Sequence, residues 1–310
     1  MSARIPLLID TDPGVDDALA LLMAFADPAH EVVGLGIAAG NVGLQHTVAN
    51  ALKLCEVCDV DVPVFAGAAE PLLHAAEDAA FVHGRDGFGD TGYAPATRSV
   101  QPGHAANAIV RLAREHEGRL LLVCLGPLTN LALALKLDPQ LPSRVARCVV
   151  MGGAVTAHGN MSPAAEFNIG FDPEAAHIVF SAFPMLDLAD WEATVRHGLP
   201  HVDVERWLAA DSPRARFYRD ISAHTRAWSL DRRGARWLCA DGLAMAYALR
   251  PQDAQTLVRP LAVELTGRRS RGATVVDWEQ RWGWPDNVRL LERYDQAGFE
   301  AMVAAALAAG

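Results

Sequence analysis

The feature that most constrains this chain is a succession of short, largely apolar runs separated by stretches of helix length. Residues 5–9, 32–38, 62–65, 120–125, 148–151 and 185–188 read as buried strands. Between them, residues 18–25, 47–57, 105–116, 128–137 and 174–180 read as helices. A strand that is apolar on both faces must be covered on both faces, and a parallel sheet between two helical layers does this. The alternation therefore predicts an α/β fold with a doubly wound, mostly parallel sheet flanked by helices. The last third is less regular. Residues 214–230, 241–249 and 299–309 look helical, and residues 257–266 and 273–277 look like strands, so a C-terminal helical and strand extension is expected. No linker, low-complexity tract or fixed-period repeat interrupts the chain, and residues 1–310 are read as one domain.

Composition narrows the partners. Apolar residues make up 51% of the chain, enough for a large core. There are 37 acidic against 27 basic residues, a formal net charge of -10. Phosphates repel such a surface, so neither nucleic acid nor an anionic membrane is expected as a partner. An acidic pocket suits a metal cation or a hydroxyl-rich small molecule. The apolar run at 5–9 is too short for a signal peptide, and no apolar stretch reaches the length of a membrane span. The five cysteines, Cys55, Cys58, Cys124, Cys148 and Cys239, are an odd number, which predicts reduced thiols and a cytoplasmic location. Cys55 and Cys58 form a C-x-x-C on a helix running from about residue 44. They read as small apolar residues on one helix face, since no partner cysteines for zinc lie nearby.

In a doubly wound sheet, ligands bind beyond the carboxyl ends of the strands. The first strand ends in Asp10-Thr11-Asp12-Pro13-Gly14-Val15-Asp16-Asp17, the second in Gly40-Asn41, the fourth in Gly126-Pro127-Leu128-Thr129-Asn130, and the fifth in Met151-Gly152-Gly153. Four aspartates within eight residues repel one another unless a cation or protons neutralise them. Helix capping by Asp16 and Asp17 accounts for one or two acids, not four. An all-oxygen site without His or Cys favours Ca²⁺ or Mg²⁺ over zinc.

Taken together, these motifs resemble the nucleoside hydrolase family. Asp10 to Ala18 resembles its N-terminal signature, and Ala39-Gly40-Asn41 its second-strand motif. Further matches are Gly126 to Leu131, Met151-Gly152-Gly153-Ala154, Asn160, Ala165-Glu166-Phe167-Asn168, Asp172 to Ala176, Asp241 and Thr274-Val275-Val276-Asp277. The resemblance implies calcium-dependent hydrolysis of the N-glycosidic bond of a ribonucleoside. It implies Ca²⁺ held by Asp12, Asp17, the carbonyl of Thr129 and Asp241, with Asp12 also taking the proton of the attacking water. It further implies ribose binding by Asp16, Asn41, Met151, Asn160, Glu166, Asn168 and Asp241, and assembly as a homodimer or homotetramer. Three ribose hydroxyls, each donor and acceptor, suit convergent Asp, Glu and Asn. Glu166 and Asn168, separated by one residue, are expected to face one way as in an extended segment.

The sequence departs from the family in one place. Many members carry a His or Trp before the last metal-binding Asp, whereas this chain reads Cys239-Ala240-Asp241. Ala240 can neither donate a proton nor stack. His83, in a segment resembling the family's mobile loop, and His224 and Trp228, four apart on one helix, are the candidates for the base side. Trp282 and Trp284 rank below them. Ala240 also raises the alternative of a catalytically silent sugar- or nucleoside-binding protein, which the intact Asp12 argues against. Asp10-x-Asp12 after a strand also fits the nucleophile motif of a haloacid dehalogenase-type phosphatase, but no lysine stands at a strand end to complete that chemistry.

Overall fold

The structure is a computed structural model and describes residues 4–310. Its centre is an eight-stranded sheet. Six strands correspond to the predicted runs: β1 (Ile5–Thr11), β2 (His30–Ile37), β3 (Val64–Ala66), β4 (Leu120–Cys124), β5 (Val145–Met151) and β6 (Leu186–Ala189). They lie in the order β3-β2-β1-β4-β5-β6, all parallel. The strand Val288–Tyr294 continues the sheet parallel to β6, and Ala254–Arg259 closes the edge antiparallel to it.

Alternation along the strands splits the core in two. Leu7, Ile9, Leu121 and Val123 face one side, with the helices Val15–Ala26, Leu44–Val57, Pro213–Arg233, Ala240–Leu249 and Gln296–Ala308. Leu8, Leu120, Leu122 and Cys124 face the other, with the helices Ala105–Glu115, Thr129–Leu137 and Pro173–Ala182. Neighbouring side chains on one strand thus serve opposite layers, which is why the runs had to be apolar throughout.

The C-terminal third departs most from expectation. The stretch 257–266 is not one strand: Ala254–Arg259 joins the main sheet, and Leu261–Val263 pairs antiparallel with Thr274–Val276 in a separate ribbon. Pro260 sits between the two, and without an N–H it cannot continue a ladder. The strand Val288–Tyr294 and the helices Trp191–Arg196 and His201–Leu208 carry no clean apolar period and went unforeseen. Glu166 and Asn168, expected to lie in an extended segment, instead cap and open a short helix, Phe167–Phe171. Among the described residues, no helix is long and apolar enough to cross a membrane. All five cysteines are free and buried; burial pushes the Cys55 and Cys58 thiols up to about 11 and about 12.

Candidate active site

The strand order reverses between β1 and β4, and the loops leaving β1, β2, β4 and β5 converge at that switch point. Asp12, just past β1, is buried. Its Oδ2 accepts the Asn41 N–H at 2.7 Å. A Cβ on Gly40 would overlap Oδ2, and one on Gly126 would overlap Oδ1. Only residues without side chains let the two neighbouring loops close on this carboxylate. Asp17, in the first turn of Val15–Ala26, accepts hydrogen bonds from the Thr11 hydroxyl, the Gly14 N–H at 3.0 Å and the Asn41 amide at 2.8 Å.

Asp241 arrives from far along the chain, in the first turn of Ala240–Leu249. One carboxylate oxygen from each of Asp16, Asp17 and Asp241 lies within 4.8 Å of the other two. Asp12 lies outside that tight group but close enough for its charge to be felt. Burial first, and then repulsion from Asp17, holds the Asp12 carboxyl well above its ordinary range. Burial and repulsion from Asp16, Asp17 and Asp12 do the same to Asp241. Asp16 is pushed up to about 7 by burial and by Asp17. Its Oδ1 is buried with no hydrogen-bond partner. Acceptors clustered out of water, one of them unpaired, are the chemistry of a hard cation site, so these carboxylates could hold a metal ion. The Thr129 hydroxyl donates to Asp172 Oδ2 at 2.7 Å, which ties the start of the helix Thr129–Leu137 to the segment before Pro173–Ala182.

Above the carboxylates opens a cavity of about 310 Å³. Asp16, Asn41, Met151, Asn160, Glu166, Asn168 and Asp241 all line it. Glu166 and Asn168 meet there for a reason other than the one expected. Glu166 caps the helix Phe167–Phe171, accepting the N–H groups of Asn168 at 2.9 Å and Ile169 at 3.2 Å, and the Gly153 N–H at 2.8 Å. Burial still raises its carboxyl above the usual value. The Asn168 amide donates to Leu125 O at 2.6 Å and to Met151 O at 3.3 Å, which leaves its carbonyl as a free acceptor. Asn160, at the exposed rim, accepts the Phe167 N–H at 2.8 Å.

The base-side candidates separate. His83 is buried, lines the cavity and stands 3.9 Å from Asp16. Its Nδ1 accepts the Val15 N–H at 3.1 Å, so the neutral ring carries its proton on Nε2. Burial lowers its pKa to about 4, and the ring is neutral at pH 7. Trp228 also lines the cavity, edge-on to Phe81 with centroids 6.3 Å apart. His224 is exposed and is not among the lining residues. Four residues span slightly more than one helical turn, about 40° in excess. The lining face carries Thr225, Trp228, Ser229 and Arg233, and His224 falls beyond its edge. Trp282 and Trp284 pack against each other away from this cavity. Ala240 lines the cavity beside Asp241, so no acid stands there.

Several lining residues went unread in the sequence: Phe81, Phe167, Trp191, Ser229, Arg233 and Trp237. Phe81, Phe167, Trp191 and Trp237 arrive on four separate elements, and Ser229 and Arg233 on the helix that also carries Trp228. Asp10, part of the aspartate run, is buried below the site and held by the Asn130 amide at 2.9 Å.

Comparison with known proteins agrees with this geometry. Residues 7–301 match the family described as inosine-uridine preferring nucleoside hydrolase. The chain is similar to uridine nucleosidase 1 of Arabidopsis thaliana, 38% identical over 82% of this chain and 74% of that one. It is also similar to the pyrimidine-specific ribonucleoside hydrolase RihA of Salmonella typhimurium, 34% identical over 97% of both chains. Among solved structures, a plant nucleoside hydrolase superposes with a TM-score of 0.94 at 29% identity, over 99% of this chain and 100% of that one. An inosine-guanosine nucleoside hydrolase does so with a TM-score of 0.91 at 31% identity and the same coverage. A strand-end carboxylate centre below a polar cavity, shared fold and near-full-length similarity lead to one assignment: the chain belongs to the nucleoside hydrolase family, enzymes that hydrolyse the N-glycosidic bond of ribonucleosides.

Proposed function

We propose that this hydrolysis depends on Ca²⁺ held by Asp12, Asp17, the Thr129 carbonyl and Asp241, with Asp12 as the general base. The observation that carries the proposal is the convergence of Asp16, Asp17 and Asp241, from distant parts of the chain, in one group of carboxylates that holds no ion pair with Lys or Arg among the described residues. Calcium, when bound, supplies positive charge that keeps these carboxylates ionised and favours deprotonation of water.

The chain's own residues do the rest. Asp12, clasped between Gly40 and Gly126, accepts the proton of the attacking water. Asp16, Asn41, Asn160, Glu166, Asn168 and Asp241 present acceptors and amides to the ribose hydroxyls, beside Met151 at the end of β5. As the bond to the base breaks, positive charge develops on the ribose, and the surrounding carboxylates stabilise it. On the base side, His83 offers an Nε2–H and Trp228 an indole face. A cytoplasmic location and assembly as a homodimer or homotetramer belong to the same proposal and are supported by the family resemblance.

The test is release of free ribose from a panel of ribonucleosides by protein as purified, after chelation and after addition of Ca²⁺. Chelation is expected to abolish release and Ca²⁺ to restore it. Unchanged release from protein shown to be metal-free would overturn the calcium assignment.

A further inference from the structure

The helix Pro213–Arg233 lays Thr225, Trp228, Ser229 and Arg233 along the cavity. Their polar groups differ in what they already hold. The Thr225 hydroxyl is spent, donating to Val82 O at 2.9 Å. The Ser229 hydroxyl is buried, 3% exposed as a residue, and has no partner. A buried hydroxyl left unpaired costs stability, so its position at the cavity wall points to a partner on the ligand.

Arg233 is held in an unusual way for an arginine. Its guanidinium sits over the Trp191 ring at 4.7 Å and over the Trp228 ring at 5.2 Å. Among the described residues it makes no hydrogen bond and no ion pair with a carboxylate. Contact with indole faces fixes the group without using its N–H donors. A partly exposed cation at the cavity wall is thus positioned with its hydrogen-bonding capacity free, on the same indole that stacks in the base region.

We propose that Arg233, with Ser229, selects the leaving base, favouring bases with a carbonyl oxygen, rather than an amino group, at position 4 of a pyrimidine or position 6 of a purine. The proposal rests on the hydrolase reading above and deepens it. A guanidinium donates and never accepts, so it pairs with O4 of uracil or O6 of hypoxanthine and is mismatched to the amino group that cytosine and adenine carry at the same ring positions. The Ser229 hydroxyl can turn to either role and adds contact without discrimination. The same cation also acts in the bond-breaking step. When the bond from ribose to nitrogen cleaves, its electron pair goes to the base, and a positive charge nearby stabilises the oxyanion that delocalisation places on a carbonyl oxygen. Beside Asp241, where Ala240 offers no proton, this is a route by which the base leaves as an anion without a side-chain acid and takes its proton from water afterwards.

The experiment measures kcat/KM for uridine, cytidine, inosine and adenosine by ribose release in the presence of Ca²⁺. It compares the natural chain with Arg233→Met, Arg233→Lys and Ser229→Ala, and measures competitive inhibition by free uracil and cytosine. The natural chain is expected to prefer uridine to cytidine and inosine to adenosine. Arg233→Met should lower both ratios about tenfold or more, the weight of a charged hydrogen bond, by slowing uridine and inosine. Arg233→Lys should keep part of the preference, because it keeps the charge and loses the fork. Ser229→Ala should slow all four without moving the ratios, and uracil should lose its advantage over cytosine as an inhibitor only with Arg233→Met. Unchanged ratios in Arg233→Met, or an equal loss on all four substrates, would overturn the selection. No ribose from any of the four with the natural chain would overturn the hydrolase reading itself and this inference with it, an outcome separable from the other two.

Discussion

The floor of the cavity comes from strand ends and the first turns of two helices, and its wall from other helices and loops, and the two obey different rules. On the floor, Asp12 and Asp17 are locked by backbone N–H groups, by the Asn41 amide and by glycines that admit no side chain. On the wall, Phe81, Trp191, Trp228 and Arg233 meet through ring faces and edges, contacts that tolerate exchange of one large side chain for another. The floor has one arrangement because charge must be balanced in a dry place. The wall has room to vary, and there Ala240 stands beside Asp241. On the proposed reading, the chemistry common to all ribonucleosides lies on the hydrogen-bonded floor, and the part that meets the variable base lies on the packed wall.

The sharpest way to break this contrast is at the floor. Asp12→Asn keeps the size of the side chain and removes its basicity. Turnover is expected to fall by about 10²–10⁴-fold, the usual weight of a general base, with ribose still bound. Near-normal kcat would remove Asp12 from the mechanism.

The floor should also reveal itself in stability. In calcium-free protein Asp10 and Asp16 are raised to about 7, against 3.8 for an ordinary aspartate. Raised carboxyl values mean that the folded state holds extra protons. The stability this contributes is complete below about pH 4 and is lost as pH rises through 7. The buried His83, lowered to about 4, has the opposite slope, but only between about pH 4 and the ordinary histidine value of 6.5. From pH 6.5 to 8 the carboxylates act alone among these groups, so the melting temperature of chelated protein should fall, by roughly several degrees. Calcium should flatten the curve. A melting temperature that is constant or rises over that interval without calcium would contradict the buried-carboxylate account.

At the wall, effects should be smaller. Trp228→Ala removes a stacking face and is expected to lower kcat/KM about tenfold, the upper range for an aromatic contact. His224→Ala, beyond the lining face, should leave kcat/KM unchanged. Steady-state kinetics on one good substrate checks both, and equal losses from the two substitutions would mean that the wall is placed wrongly.

The chain taken alone already spelled out the six parallel strands, the helices that cover them and the acidic rim. Those signals are local: buried parallel strands must be apolar on both faces, and like charges crowded into one turn demand a counter-charge. Asp12, Asp16 and Asp17 are legible because they lie within one motif, and Asn41, Glu166 and Asn168 because they sit in segments that resemble a known family. Glu166 and Asn168 were read correctly as neighbours for an incorrect reason, since period-2 spacing and the first turn of a capped helix both place such residues near each other. The family resemblance also names Asp241 and Trp228, but packing alone decided where they meet the rest of the cavity. It brought Asp241 across more than two hundred residues to Asp16 and Asp17. It turned Trp228 inward and left His224 outside by a fraction of a helical turn. It also set the Arg233 guanidinium over two indoles from separate elements. Periodicity records which residues are buried, but not which distant element they are buried against, and the base-facing wall is made entirely of such distant meetings.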